Sequence, residues 1–281
     1  MRARALGTRD APLVRTLLAA DPVANVFVSS RVDVGLLWPG SPASLYGWPS
    51  GQPRHLLHAG SNLAPVFGPC DQRERDAAIA AFADAVGPHR WCQAIVGEAD
   101  VTLALYRHLS RRGRSYATHR EIRPRQPLMM VREVAEGVAE APVRQITMDD
   151  FDSYFAAAVA MYTEAVGVGP VSGGGRAGYR SHCQTMVQSG RAWGIVTDGR
   201  VVFKADVGIS CGGVAQVQGV WLAPHLRGQG LAPAAMGSAT RQILESHEVV
   251  SLYVNDFNTR AVRTYLRIGF TVTSQFATVL Y

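Results

Sequence analysis

The run Gly219-Val220-Trp221-Leu222-Ala223-Pro224-His225-Leu226-Arg227-Gly228-Gln229-Gly230-Leu231-Ala232-Pro233 constrains the chain most, because an apolar strand breaks there into a glycine-rich turn that opens a helix. The first N–H groups of a helix lack intrahelical partners and lie at the positive end of its dipole, so an anion docking on them is stabilised twice. Gly228 and Gly230 carry no Cβ, which opens backbone conformations closed to other residues and lets a phosphate come close. Pro233 falls in the first helical turn, where a missing N–H costs little. Ala235, Met236, Ala239, Ile243 and Leu244 then recur at helical spacing and give the helix a face to lay on a sheet. No lysine follows Gly230, as a Walker loop requires, and the third glycine and acidic residue of a dinucleotide fingerprint are missing. Taken alone, the motif leaves an ordinary surface turn before a helix as an equal alternative.

A second segment lies about 30 residues further on. Val249-Val250-Ser251-Leu252-Tyr253-Val254 is a β-branched run and predicts a strand, which Asn255-Asp256-Phe257-Asn258 ends while capping a new helix. Ala261 and Tyr265 share one face of that helix, and Gly269 suits its C-terminal cap. Arg227-Gly228-Gln229-Gly230-Leu231-Ala232 resembles Arg/Gln-x-x-Gly-x-Gly/Ala, the acyl-CoA pyrophosphate loop of the GNAT (GCN5-related N-acetyltransferase) family. Asn258, Ala261, Tyr265 and Gly269-Phe270 resemble that family's Asn-x-x-Ala-x-x-x-Tyr-x-x-x-Gly-Phe segment.

The resemblance implies an α/β fold, with a mixed, mostly antiparallel sheet flanked by helices, and acetyl-CoA as co-substrate. The cofactor would enter a V-shaped opening between the parallel strands Val214–Leu222 and Val249–Val254. Backbone groups around Val220, Trp221 and Leu222 would hold the pantetheine arm, the amides from Arg227 to Ala232 the pyrophosphate, and Asn258 and Ala261 would complete the cofactor site. An uncharged primary amine, on a small molecule or on a peptide or protein, would attack the thioester in a ternary complex. Tyr265 would protonate the leaving thiolate, its ordinary pKa of about 10 suiting that task.

The general base is less well defined. Many family members carry a carboxylate on the strand before the pyrophosphate loop, where this chain has Gln216 and Gln218. Asp206, Glu164 and Asp256 are the candidates elsewhere, though a solvated position or a cap is the commoner role for such carboxylates, and an ordered water is a further route. His225, on the turn, and His182, on a helix, receive no role. The missing strand carboxylate keeps open a non-catalytic acyl-CoA-binding sensor.

At 281 residues the chain exceeds a single GNAT fold of about 150. The pattern predicts an N-terminal half at 1–131, a linker at 132–142 that lacks a packing pattern, and the GNAT domain at 143–281, opening on a strand at Val143–Ile146 and a helix capped from Thr147. In the first half, helices are predicted at Ala11–Ala20, Asn25–Val32, Arg73–Val86 and Val101–Arg112. Strands are predicted at Ser44–Gly47, Arg54–Gly60 and Trp91–Gly97, with Leu128–Val131 as a closing strand. This order suits a degenerate GNAT-like half in tandem with an intact one, and resembles the uncharacterised domain preceding the GNAT domain in a group of actinobacterial acetyltransferases. The glycine-rich stretch Thr163–Tyr179 is a candidate acceptor loop.

The net charge is +6, and of 28 cationic residues only Lys204 is a lysine. The cluster Arg111, Arg112, Arg114, Arg120, Arg123 and Arg125 reads as a solvated face rather than a nucleic-acid site, which stands as the third function class. Cys70, Cys92, Cys183 and Cys211 show no metal-ligand spacing, and no signal peptide or membrane-length apolar run is present. Those features predict a cytoplasmic protein with no bound metal and no membrane contact.

Overall fold

A computed structural model describes residues 2–167, 169–170 and 175–281. Along the chain lie β1 (Arg4–Ala5), α1 (Ala11–Ala19), α2 (Val26–Asp33), β2 (Ser44–Trp48), β3 (His55–Ala59), β4 (Asn62–Phe67), α3 (Gln72–Val86), β5 (Ala94–Glu98), α4 (Ala99–Arg112), α5 (Arg114–Ala117) and β6 (Glu121–Val131). There follow β7 (Arg144–Gln145), α6 (Phe151–Val166), α7 (Arg176–Gln188), β8 (Ala192–Thr197), β9 (Arg200–Cys211), β10 (Val214–Leu222), α8 (Leu231–Leu244), β11 (Val249–Tyr253), α9 (Thr259–Arg267) and β12 (Thr271–Leu280). Two compact units emerge, one of residues 1–129, 253–258 and 272–281, the other of 130–252 and 259–271. The predicted cut at 132–142 does not describe this partition, because the last strand groups with the first unit.

In the first unit the strands run β1-β2-β3-β4-β5-β12-β6. Strands β2, β3 and β4 form an antiparallel meander, β5 runs parallel to β4, and β12 pairs antiparallel with β5 from Phe276↔Glu98 to Leu280↔Ala94. Successive strand residues face opposite layers. Leu56, Ala64 and Val66 pack with Val14, Leu18, Val28 and Val32 of α1 and α2, while Leu57 and Leu63 pack with Ile79, Phe82, Leu105 and Leu109 of α3 and α4.

The second unit repeats this plan as β11-β10-β9-β8-β7, with β10 and β11 parallel and the other pairs antiparallel. Its α6 and α7 bury Phe151, Tyr154, Phe155 and Val187 against Ile146, Ala192 and Val201. Helix α8 buries Ala235, Met236, Ala239 and Ile243, as its periodicity predicts. The repetition extends to single residues. In the first unit, Arg4 grips Asp10 through two hydrogen bonds of 2.9 and 2.7 Å, and Asp10 accepts the Gly7 N–H at 2.9 Å. In the second, Arg144 grips Asp150 at 2.6 and 2.9 Å, and Asp150 accepts the Thr147 N–H at 3.1 Å. Both clamps join a two-residue strand to the following helix at the same sequence spacing.

Several expectations need correction. Strands β1 and β4 went unread; Pro65, paired with Leu57 inside the sheet, argues against a strand in sequence. The closing strand is Glu121–Val131, longer than Leu128–Val131, and the predicted strand at Val143–Ile146 is two residues long. The 132–142 segment is irregular but packed: Arg241 and Ser238 of α8 bond the Val138 carbonyl and the Ala141 N–H at 2.7 and 2.9 Å. A Cβ on Gly237 would lie 2.6 Å from Val138, so the glycine makes room for the segment.

The two clamps have a pH signature. Their arginines hold Asp10 and Asp150 down at about 2, below an ordinary carboxyl near 4. A depressed folded-state pKa adds stability that is complete above the unfolded value and lost as pH falls toward 2. Thermal melts of Arg4→Ala/Arg144→Ala are therefore expected to fall less steeply than those of the wild type between pH 4 and 2; parallel curves would contradict the clamps.

Candidate active site

Strands β10 and β11 start as a regular parallel pair, Val214↔Val249, Ala215↔Val250 and Gln216↔Ser251, and pair no further. Past that point β10 stays with β9 but breaks register twice, between Gln216 and Val217 and between Gln218 and Trp221. At the second break Gly219 and Val220 stand opposite the single residue Ala205, a β-bulge with Gly219 at φ +61°. Two parallel strands that part at their carboxyl ends leave backbone groups facing an opening, the position where open α/β sheets take ligands.

The chain then reaches α8 through Ala223–Gly230. Gly228 and Gly230 adopt φ of +79° and +81°, and neither would meet an atom within 4 Å if given a Cβ, so the requirement there is conformational rather than steric. Among the described residues the N–H groups of Gly228, Gln229 and Gly230 reach no backbone acceptor. Helix α8 has no side-chain cap and no acidic residue in its first turn. Leu231 and Ala232 begin the helix, so their N–H groups add to an uncompensated positive end.

The matching helix start in the first unit is closed. Asp71 caps α3 by accepting the Glu74 N–H at 2.7 Å, and Glu74 adds a second carboxylate to that turn. Negative charge already occupies the place an anion would take.

Residues 171–270 match the acetyltransferase (GNAT) family model. The chain carries a GNAT domain. Residues 43–154 match a domain of unknown function, DUF4081, which precedes it. The whole chain resembles several solved structures. One is a GNAT-family acetyltransferase from Colwellia psychrerythraea, 11% identical, with both chains covered completely and a TM-score of 0.58. Another is a GCN5-related N-acetyltransferase from Sphaerobacter thermophilus, 16% identical, covering 99% of this chain and 94% of that one at 0.58. A third is a tandem GNAT protein from the clavulanic acid biosynthesis pathway, 15% identical, covering 99% and 97% at 0.59. At such identities the likeness is one of fold. No curated protein matches the sequence.

Within the GNAT domain the residues expected to bind the cofactor do not all behave alike. Val220, Trp221 and Leu222 are half-buried on the parted end of β10. The Arg227 guanidinium turns back, donating to the Leu222 carbonyl at 2.8 Å and to both oxygens of Glu164 at 3.1 and 2.8 Å. Trp221 Nε1 donates to the same carboxylate at 3.1 Å. Glu164 thus sits at the rim, tied to the strand end and to the loop. Ala261 is half-buried on α9, and Asn258, which precedes α9 directly, groups with the first unit.

Tyr265 is 6% exposed, sets its ring 5.8 Å from that of Phe270 at a tilt of 52°, and offers a hydroxyl that meets no hydrogen-bond partner among the described residues. Burial raises this hydroxyl above its ordinary value, so it keeps its proton at neutral pH. Helix α9 ends as expected at Gly269, φ +106°, with the Phe270 N–H returning to the Tyr265 carbonyl at 3.0 Å.

Asp206, buried at 6% exposure, has both oxygens engaged: Tyr154 donates to Oδ1 at 3.1 Å and Lys204 Nζ to Oδ2. Burial raises its carboxyl above the ordinary range, against the pull of Lys204. Removing one partner of such a buried pair typically costs about 3–5 kcal/mol. Asp256 pairs with Arg125 at 2.7 Å in the first unit. In the arginine cluster, Arg112 pairs with Asp84 and Arg123 with Glu121. The expected acceptor loop is helical at both ends, in α6 up to Val166 and in α7 from Arg176; its residues Val168 and Val171–Gly174 lie outside the described residues.

Sequence reasoning passed over Lys204 and Tyr154. The signal for Lys204 was its singularity in a chain whose other cations are all arginine.

Gly230→Ala should lower stability by about 1–2 kcal/mol, the cost of a left-handed residue with a Cβ, with no steric term added. Urea denaturation measures it; an unchanged midpoint would mean that Gly230 is not held at positive φ.

Proposed function

We propose that the GNAT domain is an N-acetyltransferase that moves the acetyl group of acetyl-CoA to a primary amine, on a small molecule or on a peptide or protein, in a ternary complex. The observation carrying this reading is the uncapped start of α8, with the Gly228–Gly230 amides free, beside a strand pair that parts. Those amides suit a pyrophosphate, and the parted end of β10 suits an amide-rich arm such as pantetheine. Backbone donors around Val220–Leu222 would meet the charge that builds on the thioester oxygen as the amine attacks. Tyr265, protonated and unpaired, is the acid for the departing thiolate.

Of the candidate bases we favour Glu164, which is exposed and lies at the rim beside Trp221 and Arg227. Asp206 is sealed by two partners and serves structure rather than proton uptake. We assign the first unit no cofactor of its own, because Asp71 already caps its helix terminus. Gln216 and Gln218, standing where family members often carry a carboxylate, favour a second reading, an acyl-CoA-binding sensor without turnover. Cys70, Cys92 and Cys183 stand as thiols outside any disulfide, which suits a reducing compartment, and we place the protein in the cytoplasm. No helix among the described residues is long and apolar enough to cross a membrane.

Calorimetric titration with acetyl-CoA should give micromolar binding at one site per chain, lost in Gly230→Asp, which sets a carboxylate against the pyrophosphate. No binding by the wild type would remove transferase and sensor together. Binding without turnover on any amine in a broad panel would favour the sensor.

Tyr265→Phe should lower kcat by about 10²-fold while leaving acetyl-CoA affinity within twofold. Because the hydroxyl's pKa is raised, wild-type turnover should show no alkaline loss from this group below pH 10. Undiminished turnover in the phenylalanine variant would take Tyr265 out of the mechanism.

A further inference from the structure

The chain has 28 cationic side chains, and only one is a lysine. That lysine, Lys204, is 0% exposed, whereas no arginine among the described residues is buried. A chain so committed to arginine that keeps a single lysine, at the most enclosed cationic position, meets a demand there that a guanidinium does not satisfy. An ammonium is compact and directs three donors, while a guanidinium is a rigid plane of five. Around Lys204 Nζ stand the Asp206 carboxylate, the Gly219 carbonyl at 2.8 Å and the face of the Tyr154 ring at 5.3 Å. Two acceptors and a π face match three donors; five would leave buried N–H groups unpaired.

The Gly219 carbonyl belongs to the bulge. On β10 the register passes from Gln218↔Asp206 to Trp221↔Lys204, so Gly219 and Val220 share one opposing residue and the regular ladder is interrupted there. A Cβ on Gly219 would lie 2.9 Å from both Lys204 Nζ and Asp206 Oδ2. Only glycine admits the pair this close, and at φ +61° only glycine adopts the bend cheaply. Tyr154, donating to Asp206 Oδ1 at 3.1 Å, ties the assembly to α6.

We propose that Lys204 is a positioning residue for the acyl-transfer site: its ammonium, anchored by Asp206 and Tyr154, takes the Gly219 carbonyl at the interrupted ladder and holds the bulge from which Val220–Leu222 continue past the last paired residue of β11. The inference rests on the transferase reading for its catalytic consequence and on geometry alone for the bulge. Lys204 touches no reacting atom in this scheme.

The test replaces the whole network with apolar residues of similar size, Tyr154→Phe/Lys204→Met/Asp206→Leu, so that no buried charge or hydroxyl is left unpaired. The expected triple variant melts within a few degrees of the wild type. Amide exchange of the free protein, followed by mass spectrometry, is expected to speed up at least tenfold in the peptide covering Gln218–Leu222 and to stay unchanged in β8. Its kcat should fall about tenfold, and its KM for acetyl-CoA should rise. Gly219→Ala, which pushes Lys204 Nζ away from the other side, should give the same exchange pattern and serves if the triple variant does not fold. Unchanged exchange at Gln218–Leu222 in the folded variant, or wild-type kcat and KM, would overturn the assignment. A wild-type protein that takes up no acetyl-CoA would instead overturn the transferase reading, while the exchange measurement would still decide whether Lys204 holds the bulge.

Discussion

Backbone amides left without partners govern the second unit. Strand β10 pairs with β11 for three residues and then stops, and the glycines after it turn the chain so that the Gly228–Gly230 N–H groups meet no backbone acceptor. Unpaired backbone donors are costly to bury and useful only where something negative or carbonyl-rich arrives. No side chain of the second unit fills that place: the first turn of α8 holds no carboxylate, and the exposed Glu164 meets Arg227 and Trp221 at the rim instead.

The first unit makes the contrast within the same chain. It has the same meander and the same parallel pair with few rungs, Asn62↔Ala94 and Leu63↔Ile95, followed by a helix. There the strand-to-helix connection is short and acidic, and Asp71 closes the helix start. One fold thus appears twice, open in one copy and self-capped in the other. The length of the loop and the Asp71 cap distinguish the two helix starts.

Much of this was legible in sequence. Helical periodicity located α1, α3, α4 and α8, and the pairing of the glycine turn with the Asn258–Phe270 segment carried the family. Other features were hidden for identifiable reasons. Pro65 concealed β4, since a proline inside a sheet contradicts the local rule. The 132–142 segment reads as a linker because its contacts, Val138 against Gly237 and Ala141 to Ser238, are made by residues about 100 positions away. The tandem plan was read from the order of elements, while the matching clamps Arg4–Asp10 and Arg144–Asp150 escaped, because their meaning lies in a geometry that a string of letters does not display. Lys204 was visible as an oddity, yet its partners come from three elements.

Strand β12 gives the fold a direction in time. Residues 272–280 are made after every residue of the second unit, yet they pair with β5 of the first. On a ribosome, the first unit therefore waits with β5 lacking its antiparallel neighbour while the later-made unit gathers its own strands. The half translated first is the half finished last, and until then it presents an open β-edge of the kind on which chaperones and misassembly compete.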